Sequence, residues 1–583
     1  MSVASRLSAS AATTRRVWAL TAPYFRSEER WKARGLLAAI VVLNLAAVYV
    51  SVRITNWNRV FYDALQARDA PVFWREVGVF AVLAFSFVLV AVYRFYLTQL
   101  LELRWRAWLT RNYLQRWLQH QAFYRMELAR FSGERAPDNP DQRIQEDLQL
   151  FTEYSVSLSM GLLNALVSLA SFIGILWALS GSFTFQLAGA TYAIPGYMVW
   201  AALAYCIGGS AITHAIGRPQ IGLNFRQQRF EADFRHHMVR VREYSEAIAL
   251  DRGEQVERGQ LEVRFSQVLL NYLQLLRARK NLTWFTAFFG QAAVVFPLLL
   301  AGPRFLSGAI QLGELMQISS AFGEVQDALA WFVDNYSALA SWRATTDRLT
   351  SFEESVSAQE GHASGVDRSA GEEVTTRGLD LALPSGALLM SGVAVSAAPG
   401  DHVLLKGPSG SGKSSLLRTL AGIWPFARGR VTMPDDAMVI PQQPYFPDGR
   451  LRDALAYPEP ASRYGDAALR HALDEALLPQ LAERLDDEDA WSQKLSGGER
   501  QRLALARVFL KDPRWVLADE ATSALDEPAE KALYARLLAG IERRQGGLVS
   551  IGHRPALAAF HNKRWDIAPA GAGTPAAFAL RSG

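Results

Sequence analysis

Apolar residues are gathered into six long stretches in the N-terminal part of the chain and into short runs after it. The stretches are approximately Leu36 to Ile54, Val77 to Tyr93, Val156 to Leu179, Met198 to Ile216, Trp284 to Ala301 and Leu312 to Phe332. Each is near the ~20 residues that a helix needs to cross a hydrocarbon core of ~30 Å. They predict an α-helical six-span transmembrane domain over residues 35–349 in a lipid bilayer, with Leu312 to Phe332 the most polar span. Farther on, the apolar runs shorten to Val403–Leu405, Ala437–Ile440, Trp515–Ala518 and Leu548–Ile551. Runs of this length bounded by turn or acidic residues predict buried parallel strands, and hence an α/β domain over 379–583 fused to the helical one. Residues 1–34 form a separate N-terminal segment without the apolar core of a secretory signal, and 350–378, rich in Ser, Gly and Glu from Ser355 to Gly378, reads as a linker.

Charge orients the spans. Residues 1–34 carry 7 Lys and Arg, Arg94 to Ser155 carry 9 and Gly217 to Thr283 carry 12, whereas Ser180 to Tyr197 carry none and Gly302 to Gln311 only Arg304. Positive residues collect on the cytoplasmic side, so both termini and the two long connections are expected there. The net charge of +5 follows from this layout. There is no basic and aromatic pattern of a nucleic-acid module, so no nucleic-acid partner is expected. The single cysteine, Cys206, lies in the fourth span and excludes an intramolecular disulfide.

The α/β part carries phosphate chemistry. Gly407-Pro408-Ser409-Gly410-Ser411-Gly412-Lys413-Ser414, continued by Ser415, fits G-x-x-x-x-G-K-[ST] between a predicted strand and a predicted helix. Its glycines let backbone N–H groups curl around phosphates, Lys413 reaches the β/γ-phosphates, and Ser414 can hold Mg²⁺. Trp515–Ala518 delivers Asp519 and Glu520 at a strand's carboxyl end, where open α/β sheets bind ligands. Asp519 is placed for the Mg²⁺ shell and Glu520 to polarise the attacking water as general base.

These elements, in this order around Leu495-Ser496-Gly497-Gly498-Glu499, resemble the ATP-binding cassette of ABC transporters. The resemblance implies that Gln442 is the Q-loop glutamine reaching Mg²⁺ and water, His553 the switch histidine of the γ-phosphate, and Asp526 part of the D-loop Ser523-Ala524-Leu525-Asp526. It also implies that Ser496, Gly497, Gly498 and Glu499 face the ATP held by a second copy of the chain, so that one cassette per chain makes a homodimeric half transporter of the exporter fold. Its coupling helices are expected near Asp138 to Asp147 and Glu246 to Glu257. One departure stands out: no Phe, Tyr or Trp occurs between Phe352 and Trp424 to stack on adenine, which leaves apolar contacts such as Leu388 or Leu389.

Asn139-Pro140-Asp141-Gln142-Arg143-Ile144, Glu246-Ala247-Ile248-Ala249-Leu250 and Ala421-Gly422-Ile423-Trp424-Pro425 are similar to segments of the SbmA/BacA-related bacterial transporters and, less closely, of the ABCD half transporters. The resemblance implies a bacterial inner membrane. It implies as cargo peptides, peptide-like antibiotics or cobalamin, by uptake, in the first branch, and fatty acyl-CoA or lipid in the second. Gln317, Ser320, Glu324, Asp327 and Asp334 recur at helical spacing in the sixth span. Ionisable groups in a span usually face an interior or a wet cavity, so this stripe is expected to line a path for hydrophilic solutes. An ATP-gated channel or regulatory receptor is the rival of another class, and intact Glu520 and His553 favour turnover over gating.

Overall fold

A computed structural model describes residues 3–131, 139–187, 190–360, 365–571 and 575–582. The chain forms two compact units, one of residues 1–114 and 139–352, the other of 115–138 and 353–583.

The first unit is helical apart from an antiparallel hairpin of β1 (Ser182–Leu187) and β2 (Ala190–Pro195). After α1 (Val3–Arg26), the membrane helices are α2 (Arg30–Ala67), α3 (Ala70–Leu118), α5 (Leu148–Ser180), α6 (Tyr197–Glu243), α8 (Glu254–Leu306) and α9 (Leu312–Asp334); α4 (Ala122–Ala129) belongs to the second unit and α7 (Ser245–Leu250) is a short tip helix. All six predicted spans are helical, and five lie in helices long and apolar enough to cross a membrane. The sixth, α9, is the polar one. Its start is built onto α2: the backbone N–H of Leu312 donates to Gln66 Oε1 and that of Gly313 to Asp63 Oδ1, both at 2.8 Å, which satisfies N–H groups that a helix end leaves bare. Glycine is required at 313, since a Cβ there would lie 2.0 Å from the Arg59 carbonyl oxygen. At the far end of α5, Arg304 donates to the carbonyls of Leu179 and Ser180 at 3.0 and 2.7 Å, so the one basic residue of that loop serves as a helix cap.

The polar stripe divides. Gln317 is buried and donates to Asn56 Oδ1 at 2.7 Å, and Ser320 Oγ accepts from Asn58 at 3.0 Å. These two residues join α9 to α2, as interhelical amides and hydroxyls do in membranes. Glu324 is half-buried, and Asp327 and Asp334 are exposed on the single chain.

One further expectation is corrected. Residues 350–378 are no linker: α10 (Tyr336–Glu360) runs into them, and β3 (Val366–Ala370) and β4 (Val374–Ala382) pair into the cassette sheet. Val374, Thr376, Leu379 and Leu381 are buried, and this inward set gives β4 its place in the core. The first expected coupling position is helical where it is described: Asp138 lies outside the described residues, Asn139 at φ +49° precedes an α-helical turn at Pro140–Gln142, and a π-helical turn at Arg143–Asp147 leads directly into α5. The piece of this connection that belongs to the cassette unit, 115–138, includes α4, whose Leu128 packs on the cassette core. The second expected position also holds a short helix, α7.

Asp147 ties the start of α5 to Arg348 on the last helix of the first unit. It is buried and accepts from Arg348 Nη2 at 2.5 Å and Nε at 3.0 Å, and from Arg143 at 2.5 Å; this contact raises the Arg348 pKa above its ordinary value. Asp147→Asn keeps the volume and removes the charge. Breaking a buried pair costs ~3 to 5 kcal/mol, and because Arg348 is partly exposed the expected loss is about 2 to 3 kcal/mol. A lowered melting temperature of the detergent-solubilised variant, with ATP turnover per folded molecule unchanged, is the expected result.

The second unit is built on a mixed eleven-stranded sheet. Its strands include β5 (Leu388–Val393), β6 (His402–Lys406), β7 (Ala427–Met433), β8 (Ala437–Ile440), β9 (Trp515–Asp519), β10 (Gly547–Ile551), β11 (Lys563–Pro569) and β12 (Phe578–Ser582), in the order β3-β7-β4-β5-β12-β11-β6-β10-β9-β8. β6, β10, β9 and β8 are adjacent and parallel. Every residue of β9 and β10 is buried, which explains why they read as mostly apolar runs, with Ser550 inside β10 and Asp519 at the end of β9.

Candidate nucleotide site

Four neighbouring parallel strands deliver four chemical groups at their carboxyl ends. β6 leads into the loop Gly407–Gly412 and α11 (Lys413–Leu420), β10 into His553, β9 into Asp519 and Glu520, and β8 into Gln442. That edge is where parallel sheets bind ligands.

The phosphate loop is shaped by its glycines. Gly410 and Gly412 have φ of +76° and +91°, and a Cβ at Gly412 would lie 3.0 Å from Leu389 Cδ1. Leu389 therefore supports the loop from below in the core, which removes it as a base contact and leaves Leu388. Lys413 is buried, with Nζ donating to the carbonyls of Gly407 and Pro408 at 2.9 Å each, so its ammonium is held inside the curl of the loop. Ser411 and Ser415 are buried in loop and helix. Ser414 Oγ donates to Asp519 Oδ1 at 3.1 Å. Burial raises the Asp519 pKa, and the Ser414 hydrogen bond opposes that rise. Ser414 and Asp519 form a hard oxygen pair of the kind Mg²⁺ takes, and a cation held there would keep Asp519 ionised, while Gln442 stands at Glu520.

Glu520 is the junction. Its backbone is left-handed at φ +47°, a conformation worth about 1 to 3 kcal/mol of strain for a non-glycine residue. Surrounding bonds impose it: Glu520 N–H donates to Ile551 O at 3.2 Å, and Glu520 O accepts from Ser523 N–H at 3.1 Å and from Gln501 Nε2 at 3.3 Å. The result is a carboxylate with a partner at each oxygen, Gln442 Nε2 donating to Oε2 at 3.0 Å and His553 Nε2 lying 3.0 Å from Oε1. The three sequence-derived residues Glu520, Gln442 and His553 thus meet at one point.

The signature segment is a helix start. Ser496 caps α12 (Gly497–Lys511): its Oγ accepts from Glu499 N–H at 3.3 Å while Glu499 Oε2 accepts from Ser496 N–H at 3.0 Å. That contact holds the Glu499 carboxyl below its usual range. Gly497 and Gly498 lie against Ala524 of the D-loop, and Asp526 is the N-cap residue of α13 (Glu527–Arg543). N–H groups at such a start attract anions.

Three residues went unread in the sequence. Gln501 bonds Glu520 O, Ser523 Oγ at 3.0 Å and Ala524 N–H at 2.8 Å. Arg554 reaches the D-loop from beside His553. Arg507 is buried against Ala454 O at 2.6 and 3.0 Å and lies over the Phe446 ring, and burial pushes its pKa down to about 10. The position of Gln501 on the signature helix, and of Arg554 next to the switch histidine, was the only signal available.

The fold and this site define a membrane-embedded ATPase in which one helical domain and one cassette share a chain. The family comparisons agree: residues 20–306 match the ABC transporter transmembrane region 2 and residues 390–523 the ABC transporter cassette. The chain is 33% identical over 551 residues to the inner membrane ABC transporter ATP-binding protein YddA of Escherichia coli (strain K12), covering 94% of this chain and 95% of that one. It is 33% identical over 633 residues to ABC transporter D family member 2, chloroplastic, of Arabidopsis thaliana, covering 95% and 86%. The structure of a bacterial Atm1-family ABC exporter with ATP bound shares the fold, with a TM-score of 0.67, 18% identity and coverage of 92% and 93%. The chain belongs to the ABC transporters, as an exporter-type half transporter of the ABCD type, and hydrolyses ATP to drive transport.

Proposed function

We propose that two copies of this chain form a homodimer in a bacterial inner membrane, with all termini cytoplasmic, that couples ATP hydrolysis to movement of an amphipathic anion. Two ATP·Mg²⁺ would lie between the P-loop of one copy and Ser496–Glu499 of the other. Glu520 would take the proton of the attacking water, His553 would contact the γ-phosphate, and Gln442 would join Mg²⁺ to that water.

The cargo reading rests on a cavity of about 840 Å³ in the membrane unit. Apolar side chains such as Ile207, Leu282, Leu329 and Phe332 wall it, and His214 and Arg218 supply basic groups. An apolar tail with an anionic head, as in an acyl-CoA or lipid, fits that division, since sites use apolar walls for affinity and a few polar groups for orientation. Stimulation of ATPase activity in liposomes tests it. Acyl-CoA should raise the rate, and Arg218→Ala should raise the half-maximal concentration by about tenfold for the loss of one charge-assisted hydrogen bond worth ~1.5 kcal/mol. An unchanged response in that variant would count against the site.

A second reading, uptake of hydrophilic solutes including peptides, peptide-like antibiotics or cobalamin, is favoured by Glu324, Asp327 and Asp334, which α9 leaves partly or fully exposed. Stimulation by cationic peptides in place of acyl-CoA, lost in Glu324→Gln with Asp327→Asn, would select it.

A further inference from the structure

We propose that Arg554 is a positioning residue that makes His553 and the loop Ser523–Asp526 move as one body. The loop's own anchoring is partial: Leu525 is buried in the core, whereas Ser523, Ala524 and Asp526 are exposed. Gln501 holds the loop from the signature helix. Arg554 holds it at two carbonyls, its Nη1 donating to Leu525 O at 2.7 Å and its Nη2 to Ser523 O at 3.1 Å.

The guanidinium is itself fixed. Nη1 also meets Glu530 Oε2 at 3.3 Å, and Glu530, only 1% exposed, accepts from Thr522 Oγ1 at 2.6 Å through its other oxygen. A buried carboxylate with both oxygens engaged is a rigid base for the planar fork, whose donors stand at fixed spacing and here serve two carbonyls two residues apart and a carboxylate. His553 is the preceding residue in the chain. Any displacement of His553 along its approach to Glu520 therefore either drags the Ser523 and Leu525 carbonyls with it or breaks both bonds.

The loop also touches the signature glycines, Ala524 O lying 3.3 Å from the position of a Cβ on Gly498. The clamp thus links three parts of one cassette: the histidine, the loop and the N-terminus of α12. It rests on the reading of His553 as a hydrolytic residue, and the test separates the two.

The experiment measures steady-state ATP hydrolysis by the full chain in nanodiscs for Arg554→Lys, Glu530→Gln, His553→Ala and the His553→Ala/Arg554→Lys pair. Arg554→Lys keeps a cation beside Glu530 but loses the fork. A small misplacement of a catalytic group costs rate out of proportion to its size, so its kcat should fall about tenfold while KM for ATP stays within about twofold. Glu530→Gln should lower kcat in the same direction and by less. The pair should be no slower than His553→Ala alone, because a residue acting through another adds nothing once that one is gone. Wild-type kcat in Arg554→Lys, or full additivity in the pair, would overturn the clamp. Should Arg554→Lys fold poorly, an unaltered kcat in well-folded Glu530→Gln would overturn it equally. An unaltered kcat in His553→Ala would instead remove the hydrolytic reading beneath it.

Discussion

Glu520→Gln in the full chain should bind ATP as the unaltered chain does and hydrolyse it ~10² to 10⁴ times more slowly, the range for losing general-base help. The size of the side chain is preserved and its basicity is not. The left-handed backbone at φ +47° and the bonds that impose it involve only main-chain atoms and Gln501, so the amide will be presented from the same place. It can turn its oxygen to Gln442 and its nitrogen to His553, the two groups now 3.0 Å from the carboxylate oxygens, and so keep the local geometry. With binding retained and hydrolysis stopped, nucleotide should accumulate as ATP in an enclosed dimer. Single-turnover hydrolysis with labelled ATP, read beside nucleotide binding, checks this, and near-normal turnover would take Glu520 out of the role.

Mixed dimers of Lys413→Ala and Ser496→Arg chains should trap nucleotide at one site, where either homodimer traps none. Lys413 is the cation enclosed by its own loop, and its removal would take away the group proposed to neutralise the β/γ-phosphates; loss of one such preorganised donor costs ~10² to 10³ in rate. Ser496→Arg destroys the capping box and fills the space before α12 with a bulky cation. If each site draws its P-loop from one chain and its signature from the other, one site of the mixed dimer carries both lesions and the other neither. Vanadate-trapped nucleotide counted per mixed dimer distinguishes this from two singly damaged sites, which would trap none.

Much of the nucleotide site could be read from the sequence because its groups sit at the ends of largely buried strands, and such strands leave short, mostly apolar runs. Val403–Leu405, Ala437–Ile440, Trp515–Ala518 and Leu548–Ile551 each lie within an observed strand, and the residue that follows each is set by chain connectivity alone. The six spans were legible for a similar reason, since length and hydropathy do not depend on neighbours. Where partner choice decides, the pattern was silent. Helical spacing put Gln317 and Ser320 on a stripe with Glu324, but only packing shows that Asn56 and Asn58 of α2 meet the first two. Residues 350–378 looked like a linker because Ser, Gly and Glu around the strands obscured the inward set Val374, Thr376, Leu379 and Leu381. Gln501 and Arg554 act through side-chain bonds to carbonyls, which leave no periodic trace.

The cassette unit is discontinuous in the chain: it borrows 115–138 from the membrane connection before resuming at Glu353. Arg116 forms an ion pair of 2.7 Å with Glu353 across that gap, and Leu128 packs on the core cluster that Phe426 and Val439 also adjoin. Cutting the gene at the obvious junction to obtain a soluble ATPase for inhibitor screening would strip away this borrowed patch and leave an apolar scar open to aggregation. A usable fragment would need residues 115–131 grafted ahead of Glu353, so that the excised enzyme retains the whole of its folded body and not merely its contiguous stretch of sequence.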